Sequence, residues 1–95
     1  MSVESVRIEV TSRQVDLLLA YTCPFEAEEN QLKELQNRQG DFHVLNTDDF
    51  YAPLLIGDIV HYGKNIDDGY LLGELDELAE IIEMAISAAK WTAAR

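Results

Sequence analysis

The 95-residue chain carries 18 acids against 7 lysines and arginines, a formal net charge of −11. A field of that sign repels phosphate backbones and anionic lipid, so direct binding to nucleic acid or to a membrane surface is not expected. An apolar fraction of 47% argues against disorder, and the longest uncharged runs, residues 17–25 and 50–57, are too short to cross a bilayer.

The length suits one domain over residues 1–95, burying about two thirds of the unfolded chain's surface. Cys23 is the single cysteine and so has no internal disulfide partner. There is no N-x-Ser/Thr site, and the first residues show no basic-then-apolar leader pattern; a cytoplasmic protein is expected.

Residues 5–10, SVRIEV, alternate Val6, Ile8 and Val10 with Arg7 and Glu9, the period of a strand wet on one face. Thr11 followed by Gln14 reads as a capping box that opens a first helix lined by Val15, Leu18, Leu19 and Thr22. Pro24 ends that helix and suits the first turn of the next, expected from Phe25 through Leu32 and Leu35 to Gly40. This second helix is thinly apolar and belongs on the surface.

A second cycle follows. Laid over the first at an offset of 36 residues, it aligns Thr47 with Thr11, Tyr51 with Val15, Leu54 with Leu18 and Leu55 with Leu19. A β-α-α unit occurring twice, approximately at 5–40 and 41–91, is the organisation proposed by this match. Pro53 lies six residues beyond Thr47, so the third helix either kinks there or begins afresh. Residues 61–70 are rich in turn formers, and Asp67 or Asp68 is the expected cap of the last helix.

That last helix, residues 71–91, is the element around which the fold must be organised. Leu71, Leu75, Leu78, Ile82, Ala85 and Ala89 recur at helical spacing on one stripe. From Ile81 onward, Ile81, Met84, Ile86, Ala88 and Trp91 widen the apolar arc beyond what a surface helix needs. A homodimer through those five residues is expected. The fold class is α+β: small, mostly helical, with two short strands and a long C-terminal amphipathic helix.

No residue pattern carries a reaction. His43, His61 and Cys23 lie in separate elements without metal-ligand spacing. Aligning Gly69 with the glycine of a calcium loop puts Lys64, Ile66 and Leu75 where carboxylates are required. No phosphate-binding or nucleophile motif occurs, and no cofactor is expected. Cys23 reads as a small buried apolar residue or as a thiol at a helix N-terminus. His61, with Asp58, Asp67 or Asp68, could form an acid-base pair in the 58–70 segment. Phe50 and Tyr51 are expected in the core, while Tyr70 and Trp91 are harder to bury within one subunit.

Residues 48–83 hold ten acids and one base, Lys64. The leading expectation is a small, acidic, non-enzymatic protein-interaction module or regulator that draws in a basic protein. Its candidate face comprises Asp48, Asp49, Asp58, His61, Tyr62, Asp67, Asp68, Tyr70, Glu74, Glu77, Glu80 and Glu83. Alternatives are an inhibitor or immunity-type protein masking a basic surface, and a small ligand binder or enzyme with its site near 58–70.

Overall fold

The computed structural model describes the chain from Glu4 to Ala93, with side-chain environments to Trp91. The elements run β1 (Ser5–Thr11), α1 (Ser12–Tyr21), α2 (Glu26–Gln36), β2 (Phe42–Asp48), α3 (Ala52–Gly63) and α4 (Gly69–Ala93). This is a small α+β fold in which a β-α-α order occurs twice. The strands form a two-stranded antiparallel sheet in which Ser5 faces Asp48, Ile8 faces Leu45 and Thr11 faces Phe42.

Alternation in β1 settles which face of that sheet is covered. Val6, Ile8 and Val10 are buried while Ser5, Arg7 and Glu9 are exposed. Leu45 and His43 of β2 join the buried side. Each helix contributes to one core on that buried side, with α4 against α3 and β1, α1 against α2, and α2 beside β2. That core includes Val15, Leu17, Leu18, Leu32, Leu55, Ile59, Leu75, Leu78 and Ile82.

The first helix starts as its sequence dictates. Thr11 Oγ1 accepts from the Gln14 N–H at 3.1 Å, and Gln14 Oε1 accepts from the Thr11 N–H at 2.9 Å, satisfying two donors that helix geometry orphans. The second helix stops at Gln36, short of the expected Gly40. Gly40 instead has φ of 109°, a left-handed conformation open to glycine without steric cost. It turns the chain into β2, and its carbonyl accepts from Ser12 Oγ at 2.8 Å. With that hydroxyl proton committed, the Ser12 oxygen is left to accept from His43 Nε2, 3.1 Å away. The buried imidazole thereby has a partner.

The repeat holds in element order but its alignment slips by one residue. Thr47 does not cap a helix: it lies within β2, and the strand ends at Asp48, the counterpart of Thr11. Asp48 Oδ1 accepts from Phe50 N at 3.0 Å and Tyr51 N at 2.7 Å. The third helix begins at Ala52, with Pro53 in its first turn, where a missing N–H costs nothing. Leu55, not Leu54, is the core counterpart of Leu18. Phe50 is exposed, against the expectation of core packing, because it falls in the turn before α3 and not on the helix face.

The last helix opens at Asp68, whose Oδ1 accepts from Tyr70 N at 2.9 Å and Leu71 N at 3.3 Å. Leu75, Leu78 and Ile82 are fully buried, and Leu71, Ala85 and Ala89 pack half-buried beside them. Burying each large apolar side chain of that stripe contributes about 1.5 to 3 kcal/mol. Among the described residues, no helix is long and apolar enough to cross a membrane.

Candidate functional site

The two edges of the sheet differ, and a concave surface lies beside one of them. Hydrogen bonds from Ser12 N to Asp41 O and from Asp49 N to Glu4 O flank the ladder. In the antiparallel register, even-numbered β1 residues therefore direct their backbone groups toward β2, and Ser5, Arg7, Glu9 and Thr11 direct theirs outward. On the β2 edge, Gln31 of α2 acts as a surrogate strand. Its Nε2 donates to Asn46 O at 3.0 Å, and its Oε1 accepts from Asn46 N at 2.7 Å. On the β1 edge Thr11 N is taken by Gln14. Among the described residues, nothing pairs with the outward N–H and C=O of Arg7 and Glu9.

A groove of about 560 Å³ runs beside that open edge. Arg7, Glu9, Val10 and Thr11 of β1 form one wall, and Glu77, Ile81, Met84 and Ala85 of α4 form the other. Phe42, paired with Thr11 and 81% exposed, stands at one end. Arg7 is in no ion pair among the described residues; the pairs present are Arg13–Glu74, Lys33–Glu29 and Arg38–Glu34.

The expected dimer face on α4 resolves into two flanks. Ile81, Met84, Ala88 and Trp91 follow one another at spacings of 3, 4 and 3, one helical line that begins in the groove. Met84 and Trp91 are 65% and 66% exposed. Ile86 follows Met84 by two residues, about 200° around the helix, and packs half-buried against the core. It does not share a surface with the other four.

Five of the ten acids between residues 48 and 83 have structural duties. Asp48 and Asp68 accept from the N–H groups at the starts of α3 and α4. Asp49 Oδ1 accepts from Glu4 N at 3.3 Å, and Asp58 Oδ2 accepts from Cys23 N at 2.9 Å. Glu74 takes a bidentate bond from Arg13, at 2.9 and 3.1 Å; that guanidinium lowers the Glu74 carboxyl below its ordinary range, mainly through the hydrogen bonds. The other five, Asp67, Asp76, Glu77, Glu80 and Glu83, are exposed and engage no cation among the described residues.

The 58–70 segment does not assemble an acid-base pair. His61 is exposed on α3, with its ring 5.8 Å from that of Tyr62, and among the described residues it hydrogen-bonds neither Asp58, Asp67 nor Asp68. Asp58 is turned to the Cys23 amide instead. Cys23 is exposed, against the expectation of a small buried residue, because it lies in the short connection between α1 and α2 rather than on a packed face. Its Sγ is 3.7 Å from the Tyr62 hydroxyl, and the thiol, by that hydrogen bond and then by its charge when ionised, pushes the Tyr62 phenol up. Tyr70 is 80% exposed. Among the described residues no group of three or more His, Cys, Asp or Glu is placed to hold a metal ion.

The groove had no single sequence signal, because its walls come from segments about seventy residues apart. Its one legible trace was the excess apolar width of α4 after Ile81. Comparison with protein-family models, with curated proteins and with solved structures finds no match for this chain.

Proposed function

We propose that this is a cytoplasmic, non-enzymatic interaction module that engages a basic protein through the acidic side of α4. The observation that carries the reading is the set of exposed carboxylates on three turns of that helix, Asp76, Glu77, Glu80 and Glu83, none held by a cation among the described residues. Asp67, in the connection before α4, and the exposed ring of Tyr70, in its first turn, lie just before them in the chain. A field of this kind raises the encounter rate with a cationic surface and selects against acidic ones. Tyr70 adds an amphipathic ring of the type that anchors protein interfaces.

The sharper form of the reading is an inhibitor or immunity-type protein that masks a basic surface on its partner. The face differs from the one expected from sequence, since Asp48, Asp49, Asp58, Asp68 and Glu74 are already engaged within the chain.

The test is capture from lysate at low and high salt with the wild type and with a variant neutralised at Asp76→Asn, Glu80→Gln and Glu83→Gln. A basic protein held by the wild type at low salt, released at high salt and not held by the variant is the expected result. Retention that ignores salt, or that survives neutralisation, removes this face from the function.

A further inference from the structure

We infer that the open edge of β1 pairs with the same edge of a second copy, joining two two-stranded sheets into one four-stranded sheet across a twofold axis at Ile8. The strand is its own complement. Outward from Ile8 in SVRIEVT, Arg7 is matched by Glu9, Val6 by Val10 and Ser5 by Thr11. In an antiparallel pairing centred there, Arg7 of one copy lies opposite Glu9 of the other, and the same pair recurs on the far side of the axis.

The backbone alternation allows this register. Arg7 and Glu9 are among the residues whose N–H and C=O point outward without a partner among the described residues. Placed opposite each other they form the hydrogen-bonded type of antiparallel pair. Arg7 N–H would meet Glu9 O and Glu9 N–H would meet Arg7 O, each bond occurring twice. Their side chains share the exposed face of the sheet, so each backbone pair also carries a cross-strand ion pair. A register shifted by two residues either way loses that reciprocity, setting Arg7 opposite Thr11 with Glu9 against its own copy, or Arg7 against its own copy with Glu9 opposite Ser5.

Charge complementarity thus names the occupant of the groove, and α4 supplies the second contact. Ile81 and Met84 line the same groove, and a twofold axis normal to the sheet puts both copies of α4 beneath it, side by side and antiparallel. Their exposed apolar line then faces its own copy. The pairing also relieves two liabilities of the lone subunit, a bare strand edge and a sheet of only two strands.

The decisive experiment is a charge swap read by sedimentation equilibrium at tens of micromolar, with far-UV circular dichroism to verify folding. The wild type is expected to be dimeric. Arg7→Glu alone sets glutamate against Glu9 twice, and Glu9→Arg alone sets arginine against Arg7 twice; each is expected to weaken the dimer by about tenfold or more, ~1.4 kcal/mol. The double variant rebuilds both pairs with signs exchanged and is expected to restore the wild-type constant. Amide exchange at residues 7 and 9 should slow with protein concentration in the wild type and the double variant only. A monomeric wild type, a dimer indifferent to both single reversals, or a folded double variant that stays monomeric overturns the inference. So does a monomer that protects these amides only with an unrelated extended peptide, which would make the groove a peptide site. All changes lie on β1, away from Asp76, Glu80 and Glu83, so failure here leaves the basic-partner reading intact, and the converse holds.

Discussion

Tyr51 shows how much one side chain can tie together in a chain of this size. It is 2% exposed, its ring lies 4.8 Å from that of Phe25, and its hydroxyl accepts from Phe25 N at 3.1 Å, joining the entry of α2 to that of α3. Burial pushes its phenol well above the ordinary value near 10, with the Phe25 bond opposing in part. An acid whose folded pKa is raised contributes stability that is complete below its unfolded pKa and declines as pH rises beyond it. Wild-type stability to urea should therefore fall above about pH 10, and Tyr51→Phe should fall less over the same range. At pH 7 the variant should cost about 1 kcal/mol, since Phe25 N loses its acceptor; an equal alkaline decline in both proteins would refute the assignment. The Thr11–Gln14 box and the Asp68 cap were legible from sequence because each depends on residues within four positions, whereas the core expectation made for both Phe50 and Tyr51 holds for Tyr51 alone, whose partner Phe25 is distant in the chain. Thr47 misled for the same local reason: it resembles Thr11, yet the Asp48 carboxylate one residue on is the better acceptor for two N–H groups and the strand runs through Thr47 to reach it.

Helix α4 carries two stripes with different consequences. Leu78 is fully buried and Met84 is 65% exposed, although both are large, apolar and on the same element. Leu78→Ala should cost about 3 kcal/mol in chemical denaturation, the transfer loss plus a residual cavity. Met84→Ala, measured in protein dilute enough to be monomeric, should stay within about 0.5 kcal/mol of wild type. Equal losses would mean that the Met84 flank packs within its own subunit. Helical periodicity made the Leu75, Leu78 and Ile82 stripe readable, but it cannot say which element meets a second stripe. The split between Ile86 and the line through Ile81, Met84, Ala88 and Trp91 became visible only once α4 was packed against both α3 and β1. The sheet edges were illegible for a related reason. Gln31 closes the β2 edge from fifteen residues away, and no pattern within α2 distinguishes that glutamine from a solvated one.

The acidity of the molecule as a whole has a thermodynamic consequence that needs no partner. A net charge of −11 is gathered on folding into a body of 42 × 29 × 22 Å, so like charges that are surface neighbours lie within the Debye length of about 10 Å at 0.1 M salt and repel one another. Among the described residues three surface ion pairs act against this, each contributing only about 0 to 1 kcal/mol and itself screened by salt. Repulsion therefore outweighs the ion pairs, and moderate salt should raise the thermal midpoint. Glu80 is where the repulsion is most concentrated, with Asp76, Glu77 and Glu83 at the helical neighbour positions and no cation engaged among the described residues. Glu80→Lys turns three unfavourable pairs into favourable ones, worth about 0.2 to 0.5 kcal/mol each, so a gain of about 1 kcal/mol is expected at low salt. The gain should shrink as salt is raised, since both the repulsion removed and the attraction introduced are screened together. A calorimetric series across ionic strength checks both slopes; a wild-type midpoint that falls with salt would mean that the ion pairs, Arg13–Glu74 foremost, outweigh the net charge.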